Sequence, residues 1–88
     1  MKIEYDPNKA ASNLKKHGVS FTEAASCLLD SMALSQEDHD ATGENRWLLL
    51  GMSNQARLLV VVYTLRGESI RLISARKPTT KEASRYER

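Results

Sequence analysis

The residues best suited to chemistry form a cationic cluster near the carboxyl end of the sequence. This cluster comprises Arg71, Arg76, Lys77, Lys81 and Arg85. Two more arginines, Arg57 and Arg66, lie at the two ends of the preceding apolar segment. A guanidinium group stays charged and grips two phosphate oxygens through its planar fork. These residues therefore favour an anionic ligand that carries phosphate.

Cleavage of RNA without a metal ion is one chemistry that such a cluster could support. The reaction requires a base for the ribose 2′-hydroxyl, a cation beside the phosphorus and an acid for the leaving oxygen. Arg71 and Arg76 are the candidates for the cation, and Glu82 or His17 could serve as the base.

Each candidate for proton transfer also has a structural interpretation. The proton donor would be Tyr86 or Lys77, but Tyr86 could instead anchor the last helix through its ring. Glu82 occupies the position of a helix-capping residue, and His17 could be a cation that complements the end of a helix dipole. Residue types alone leave both kinds of role open.

The sequence contains no motif for several other kinds of catalytic or binding site. No metal-ligand spacing, glycine-rich phosphate loop or Ser–His–Asp arrangement is found. The two histidines, His17 and His39, are far apart in the chain. The single Cys27 can form no internal disulfide, so it is either a buried helix residue or a reactive thiol. We predict no metal site and no cofactor.

Charge is distributed unevenly along the 88 residues. Residues 17–45 contain six Asp or Glu and no Lys or Arg, whereas residues 46–88 contain nine Lys or Arg against three Glu. A basic carboxyl half indicates an anionic partner, with nucleic acid as the first candidate. Cationic side chains that only keep a strand-rich half in solution would explain the same pattern.

Length and hydropathy favour one cytoplasmic domain. Eighty-eight residues suffice for a single hydrophobic core. No stretch approaches the ~20 apolar residues of a membrane span, and the first six residues contain no signal-peptide core. We therefore expect no membrane partner.

Three helices are predicted from their capping signals. Asp6-Pro7 begins the first as an N-cap followed by proline, and Gly18 supplies the left-handed exit after residue 17. Ser20-Phe21-Thr22-Glu23 is a capping box that begins the second helix. Thr79-Thr80-Lys81-Glu82 is another, and it begins a terminal helix that continues through Tyr86.

Five strands are predicted around these helices. The order of one strand, two helices, four strands and a helix is typical of an α+β domain with a mostly antiparallel sheet. Gln36–Asn45 is predicted as an acidic loop and Arg66-Gly67-Glu68 as a tight turn. The strands are Ile3–Tyr5, residues 31–35, Trp47–Met52, Leu58–Tyr63 and Ile70–Arg76. We expect the core to include Phe21, Trp47, Leu49, Leu59 and Val61.

The last strand decides whether Arg71 and Arg76 can share a site. Successive side chains of a strand point to opposite faces of the sheet. This alternation predicts that Ile70, Leu72 and Ser74 lie on one face and that Arg71, Ile73 and Ala75 lie on the other. Arg71 and Arg76 are five positions apart, so a regular strand would point them to opposite faces. Only a β-bulge or the end of the strand could bring them together.

Two long segments resemble the BrnT toxin family. The amino-terminal segments are Asp6–Ala10 and Asn13–Ala24, and the carboxyl-terminal one is Arg71–Lys77 followed by Thr79, Glu82 and Tyr86. Gly51 and Leu59–Tyr63 fit the strands between them. The segments occur in the same order and separation as in the family, so the resemblance covers nearly the whole chain. One departure is Pro78, where the family usually has a small residue.

The resemblance implies one RelE-like toxin domain over residues 1–88, and a ribonuclease that halts translation. It also implies a BrnA-type antitoxin partner whose DNA-binding module lets the pair repress its own promoter. The implied catalytic candidates are Arg71, Arg76, Lys77, Glu82 and Tyr86, followed by His17. From the charge pattern, we also predict Arg57, Arg66, Lys81 and Arg85 as RNA-binding residues. The residues by themselves fit a noncatalytic nucleic-acid-binding domain equally well, and a pure interaction protein is the third interpretation.

Overall fold

Five strands and three helices lie in residues 2–38 and 45–86, the part of the chain that the computed structural model describes. The elements are β1 (Lys2–Glu4), α1 (Pro7–His17), α2 (Phe21–Cys27), β2 (Leu34–Asp38), β3 (Arg46–Met52), β4 (Leu58–Arg66), β5 (Ser69–Arg76) and α3 (Thr80–Tyr86). Their order confirms the predicted α+β class. None of the described helices has the length and hydropathy that crossing a membrane requires.

The predicted capping residues set the helix boundaries. The Asp6 side chain accepts a hydrogen bond from the Asn8 N–H at 2.8 Å and caps α1. Gly18 ends α1 with a φ of 71°, and its N–H bonds to the carbonyl of Leu14. This left-handed conformation favours glycine because it has no Cβ. Ser20 caps α2 through its side-chain oxygen.

The sheet has the strand order β1-β5-β4-β3-β2. β1 runs parallel to β5, and the other three pairs are antiparallel. Strands β2 to β5 therefore form an antiparallel meander, in agreement with the predicted mostly antiparallel sheet, while β1 lies at the edge beside β5. The sheet is covered on both faces, with α2 packed over β3, β4 and β5 and α3 packed against β3.

The core lies between α2 and one face of the sheet. Phe21, Leu49, Leu59 and Val61 are buried there as predicted. Trp47 is only half-buried, so this part of the prediction is wrong. Trp47 lies four positions from Gly51, the point on β3 that α2 approaches, so it is near the opposite end of the strand.

Gly51 allows α2 to pack closely against β3. A Cβ built at this position would lie 2.9 Å from Leu49 Cδ2 and 3.1 Å from the backbone oxygen of Cys27. The Cys27 oxygen belongs to the last residue of α2, so any larger residue at position 51 would force this helix end away from the sheet.

The second strand differs from its prediction. β2 begins at Leu34 and includes the first three residues of the predicted loop, Gln36 to Asp38. A polar segment is compatible with this position because β2 is an edge strand that pairs only with β3. The rest of the predicted acidic loop, residues 39–44 with His39, lies outside the described residues.

A β-bulge at Ile73 changes the alternation of β5. The register pairs Val62 with Ser74 but Tyr63 with Leu72, so Ile73 is an extra residue. Beyond the bulge, Ala75 joins Leu72 in the core and is fully buried. The predicted grouping of Ser74 with Leu72, and of Ala75 with Arg71, is therefore wrong, because strict alternation assumes an uninterrupted ladder.

The same bulge places Arg71 and Arg76 on one face. Arg71 pairs with Thr64 and Arg76 pairs with Val60. Thr64 and Val60 are four positions apart on β4 and therefore share a face. The two arginines consequently share the face that α3 covers, separated by about 14 Å along the strand.

The side chain of Asn13 on α1 forms hydrogen bonds with the edge of β5 where β1 does not pair with it. Asn13 donates from Nδ2 to the carbonyls of Ala75 and Val19, both at 2.9 Å. Its Oδ1 accepts the Ala75 N–H at 3.1 Å. The amide thus supplies the donor and acceptor that a neighbouring strand would provide beyond the end of β1.

We expect Asn13→Ala to lower the free energy of unfolding by about 1–3 kcal/mol, because it leaves buried backbone groups of Ala75 and Val19 unsatisfied. Urea unfolding of the variant and the wild type measures this difference. Asn8→Ala on the same helix is the matched control, and its effect should stay within about 0.5 kcal/mol. Equal stability of the two variants would contradict this role of Asn13.

Candidate functional site

The junction between β5 and α3 is organised by a bidentate ion pair. Arg76, the last residue of β5, donates from Nη1 to Glu82 Oε1 at 2.8 Å and from Nη2 to Glu82 Oε2 at 2.9 Å. Glu82 Oε1 also accepts the Thr79 N–H at 2.8 Å, and Thr79 Oγ1 accepts the Glu82 N–H at 3.1 Å. The predicted capping box is confirmed, and its carboxylate also holds Arg76 across Pro78.

The electrostatics of this pair keep Glu82 ionised. The hydrogen bonds from Arg76 are the main cause that lowers the pKa of Glu82 to about 2, with a further contribution from Thr79. The same pair raises the pKa of Arg76. A carboxylate with so low a pKa and both oxygens occupied is a weak proton acceptor at neutral pH.

Arg76 keeps hydrogen-bonding capacity in spite of this pairing. Its guanidinium carries five N–H donors, of which Glu82 takes two and the backbone oxygen of Lys77 takes one at 3.2 Å. The Nε–H and one Nη2–H have no partner within residues 2–38 and 45–86. With its side chain 34% exposed, Arg76 can contact an anion while it stays bound to Glu82.

Arg71 forms a separate ion pair on the same face. Its Nη1 donates to Glu4 Oε2 at 2.7 Å, between neighbouring positions of β5 and β1. The bulge thus brings Arg71 to the face of Arg76, but at a distance that suits a second anionic group rather than the same one.

Tyr86 is tethered to the turn that follows α2. Its hydroxyl donates to Asp30 Oδ2 at 2.5 Å. Asp30 also accepts the backbone N–H groups of Met52 and Met32, at 2.8 and 2.9 Å. The hydrogen bond to Asp30 raises the pKa of Tyr86 and lowers that of Asp30. The phenol therefore anchors the end of α3 to the rest of the domain.

The remaining cations near α3 are more exposed. Lys77 follows β5, and Lys81 and Arg85 lie on α3 itself. Arg85 Nη1 is 3.4 Å from Gln36 Oε1 on the edge strand β2. Lys77 follows Arg76 and Lys81 precedes Glu82 in the chain, so both add positive charge next to the Arg76–Glu82 pair.

Arg57 is held elsewhere, at the beginning of α2. Its Nε donates to Glu23 Oε2 at 2.9 Å, and its Nη2 donates to the carbonyl of Gly18 at 3.2 Å. Ser53 donates to the same Glu23 oxygen at 2.7 Å. The Arg57 hydrogen bonds are the main cause that lowers the pKa of the buried Glu23. The structure therefore separates Arg57 from Arg76, while Arg66 lies exposed at the end of β4.

His17 lies in an open groove between α1 and β5. The groove is lined by Lys9, Ser12, Asn13, Lys16, His17, Ile73 and Ser74. Lys9 and Lys16 were not among the predicted site residues, although their spacing of seven residues on a helix places them on one face. This i, i+7 spacing was the signal that could have identified them.

The surroundings of Cys27 distinguish between the two interpretations of its thiol. Cys27 is fully buried, and this burial is the main cause that raises the pKa of its thiol to about 11. A thiol with so high a pKa is unreactive, which favours the buried-residue interpretation. Among the described residues, no group of three or more His, Cys, Asp or Glu side chains could hold a metal ion.

The fold and this site define a small α+β domain with a cluster of arginine and lysine side chains at one edge and face of its sheet. Residues 5–82 match the family described as the ribonuclease toxin BrnT of type II toxin–antitoxin systems. The chain therefore belongs to the BrnT family.

A solved structure supports the fold. The ribonuclease toxin BrnT of Brucella abortus superposes with a TM-score of 0.67 at 24% sequence identity. The alignment covers 91% of this chain and 99% of that one. Among curated protein sequences, none is significantly similar to this chain.

The low pKa of Glu82 predicts a specific loss of stability in acid. Its contribution is complete above the ordinary value of 4.5 and is lost as the pH falls from there towards about 2. Glu82→Gln should therefore lose less stability than the wild type between pH 5.5 and pH 3, by about 1 kcal/mol after solvent screening. Urea unfolding at both pH values measures this, with Glu68→Gln, in an exposed turn, as the control. Equal losses in wild type and Glu82→Gln would show that the pair is not formed in solution.

Proposed function

We propose that this protein is a cytoplasmic toxin that cleaves RNA without a metal ion and thereby inhibits translation. A BrnA-type antitoxin neutralises it and supplies the DNA-binding module of the pair. Membership of a ribonuclease toxin family supports RNA as the substrate. The observation that carries the proposal is the Arg76 guanidinium, which is oriented by Glu82 and still has donors for a phosphate.

Arg76 is the cation that stabilises charge on the phosphorus in this proposal. An oriented guanidinium needs little reorganisation when negative charge develops, and this is the main requirement of electrostatic catalysis. Glu82 positions Arg76 and does not abstract the proton, because its oxygens are occupied and its pKa is about 2. Arg71 binds a neighbouring phosphate on the same face.

His17 and Lys77 are the two remaining candidates for proton transfer. His17 lines the groove beside β5 and can serve as the base. Lys77 is exposed next to Arg76 and can donate to the leaving oxygen. Tyr86 anchors α3 through Asp30. Lys81, Arg85 and Arg66 add RNA contacts at the periphery, whereas Arg57 stabilises the beginning of α2.

We expect the purified protein to cleave RNA in EDTA and to leave 2′,3′-cyclic phosphate or 3′-phosphate ends. Arg76→Ala should reduce the cleavage rate by ~10²–10³. Gel analysis of a labelled oligoribonucleotide measures the rate and the ends. Loss of activity in EDTA that Mg²⁺ restores would contradict metal independence.

Glu82→Gln is the matched control, since it breaks the same ion pair but keeps the guanidinium. If Arg76 acts on phosphate, Glu82→Gln retains much more activity than Arg76→Ala. Equal loss in both variants would contradict a contribution of the Arg76 charge beyond its ion pair with Glu82. Binding of RNA without cleavage by the wild type would favour the noncatalytic alternative.

We expect expression of this chain alone to arrest growth, and co-expression of the adjacent antitoxin gene to restore it. A stable complex should bury roughly 1,200–2,000 Å² in total. Growth curves of strains with each gene singly and together measure the effect, and copurification identifies the complex. Arg76→Ala serves as the nontoxic control. Normal growth with abundant folded wild-type protein would contradict the toxin proposal.

A further inference from the structure

The groove between α1 and β5 contains two lysines and, among the described residues, no acidic side chain in its lining. Lys9 and Lys16 line it together with His17. Neither lysine forms an ion pair with any residue in the described part of the chain, whereas Arg57, Arg71 and Arg76 each pair with a glutamate. Cations that converge without counter-charges attract a polyanion.

Polar residues line the groove, and hydrogen bonds hold α1 and β5 together beside it. Ser12 of α1 and Ser74 of β5 also line it. Asn13 joins the two elements through its bonds to Ala75, so the separation between α1 and β5 is fixed. A fixed spacing between the lysines of α1 and Arg76 of β5 lowers the entropic cost of holding a ligand that contacts both elements.

The groove continues to the Arg76 site. Ser74 precedes Arg76 by two positions, and their partners Val62 and Val60 lie on the same face of β4. Ser74 and Arg76 are therefore neighbours on one face, about 7 Å apart along the strand. A single-stranded chain with its phosphate at Arg76 would enter the groove with an adjacent part of its backbone.

We propose that this groove is a backbone-binding subsite for the RNA substrate, in which Lys9 and Lys16 contact phosphates next to the one held by Arg76. This proposal rests on the proposed ribonuclease function and adds the path of the substrate around the edge of β5. The contacts are to the backbone, so they contribute affinity without selecting a base sequence.

The test measures binding of a 2′-O-methyl oligoribonucleotide, which lacks the 2′-hydroxyl needed for cleavage. Affinity is determined from 50 to 200 mM salt for the wild type, Lys9→Gln and Lys16→Gln. Each variant should reduce the slope of log affinity against log salt by about 0.7, the contribution of one phosphate contact. Lys15→Gln is the matched control on the same helix, because Lys15 does not line the groove, and it should keep the wild-type slope.

The outcomes separate this proposal from the proposed function. Slopes that are equal in Lys15→Gln and Lys16→Gln overturn the groove as an RNA subsite, even when the wild type cleaves RNA. Unchanged RNA binding with weaker antitoxin binding would overturn it as well and would assign the groove to the antitoxin. Failure of the wild type to cleave an unmodified RNA of the same sequence contradicts only the ribonuclease proposal.

Discussion

The side-chain amide of Asn13 is the contact on which the arrangement of the site depends. It bonds to both backbone groups of Ala75, at a part of β5 that β1 does not reach. An unsatisfied strand edge at this buried position would be costly. By meeting that requirement, Asn13 holds α1 against the carboxyl end of β5, and it thereby sets the width of the groove and supports the strand end that carries Arg76.

The bulge at Ile73 provides the second constraint. It turns Ala75 into the core and places Arg71, Ser74 and Arg76 on the opposite face. Without the extra residue, strict alternation from Leu72 would remove Ala75 from the core and would point Arg76 towards α2. A local irregularity of the ladder thus lets one short strand complete the core and present two arginines to the same side.

Charges in this domain fall into two groups with different physical behaviour. Arg76 is oriented by a carboxylate and is held in a fixed direction, which suits a group that must meet charge as it develops in a reaction. Lys9 and Lys16 lie on an open face of α1 without such partners among the described residues, which suits diffuse attraction of a polyanion. The oriented cation therefore lies on β5, and the cations that attract a polyanion without fixed geometry lie on α1.

Elements with local causes could be predicted from the amino-acid sequence. The caps of α1 and α2, the Thr79–Glu82 capping box and the antiparallel strands follow from residues a few positions apart, so their signals can be read along the chain. The half-burial of Trp47, the bulge at Ile73 and the clamp between Asn13 and Ala75, which are 62 positions apart, depend on how α1 and α2 dock on the sheet. These three features could not be predicted from the sequence. A β-bulge, the burial of a side chain and the hydrogen bonding of a strand edge all depend on neighbours that folding brings together.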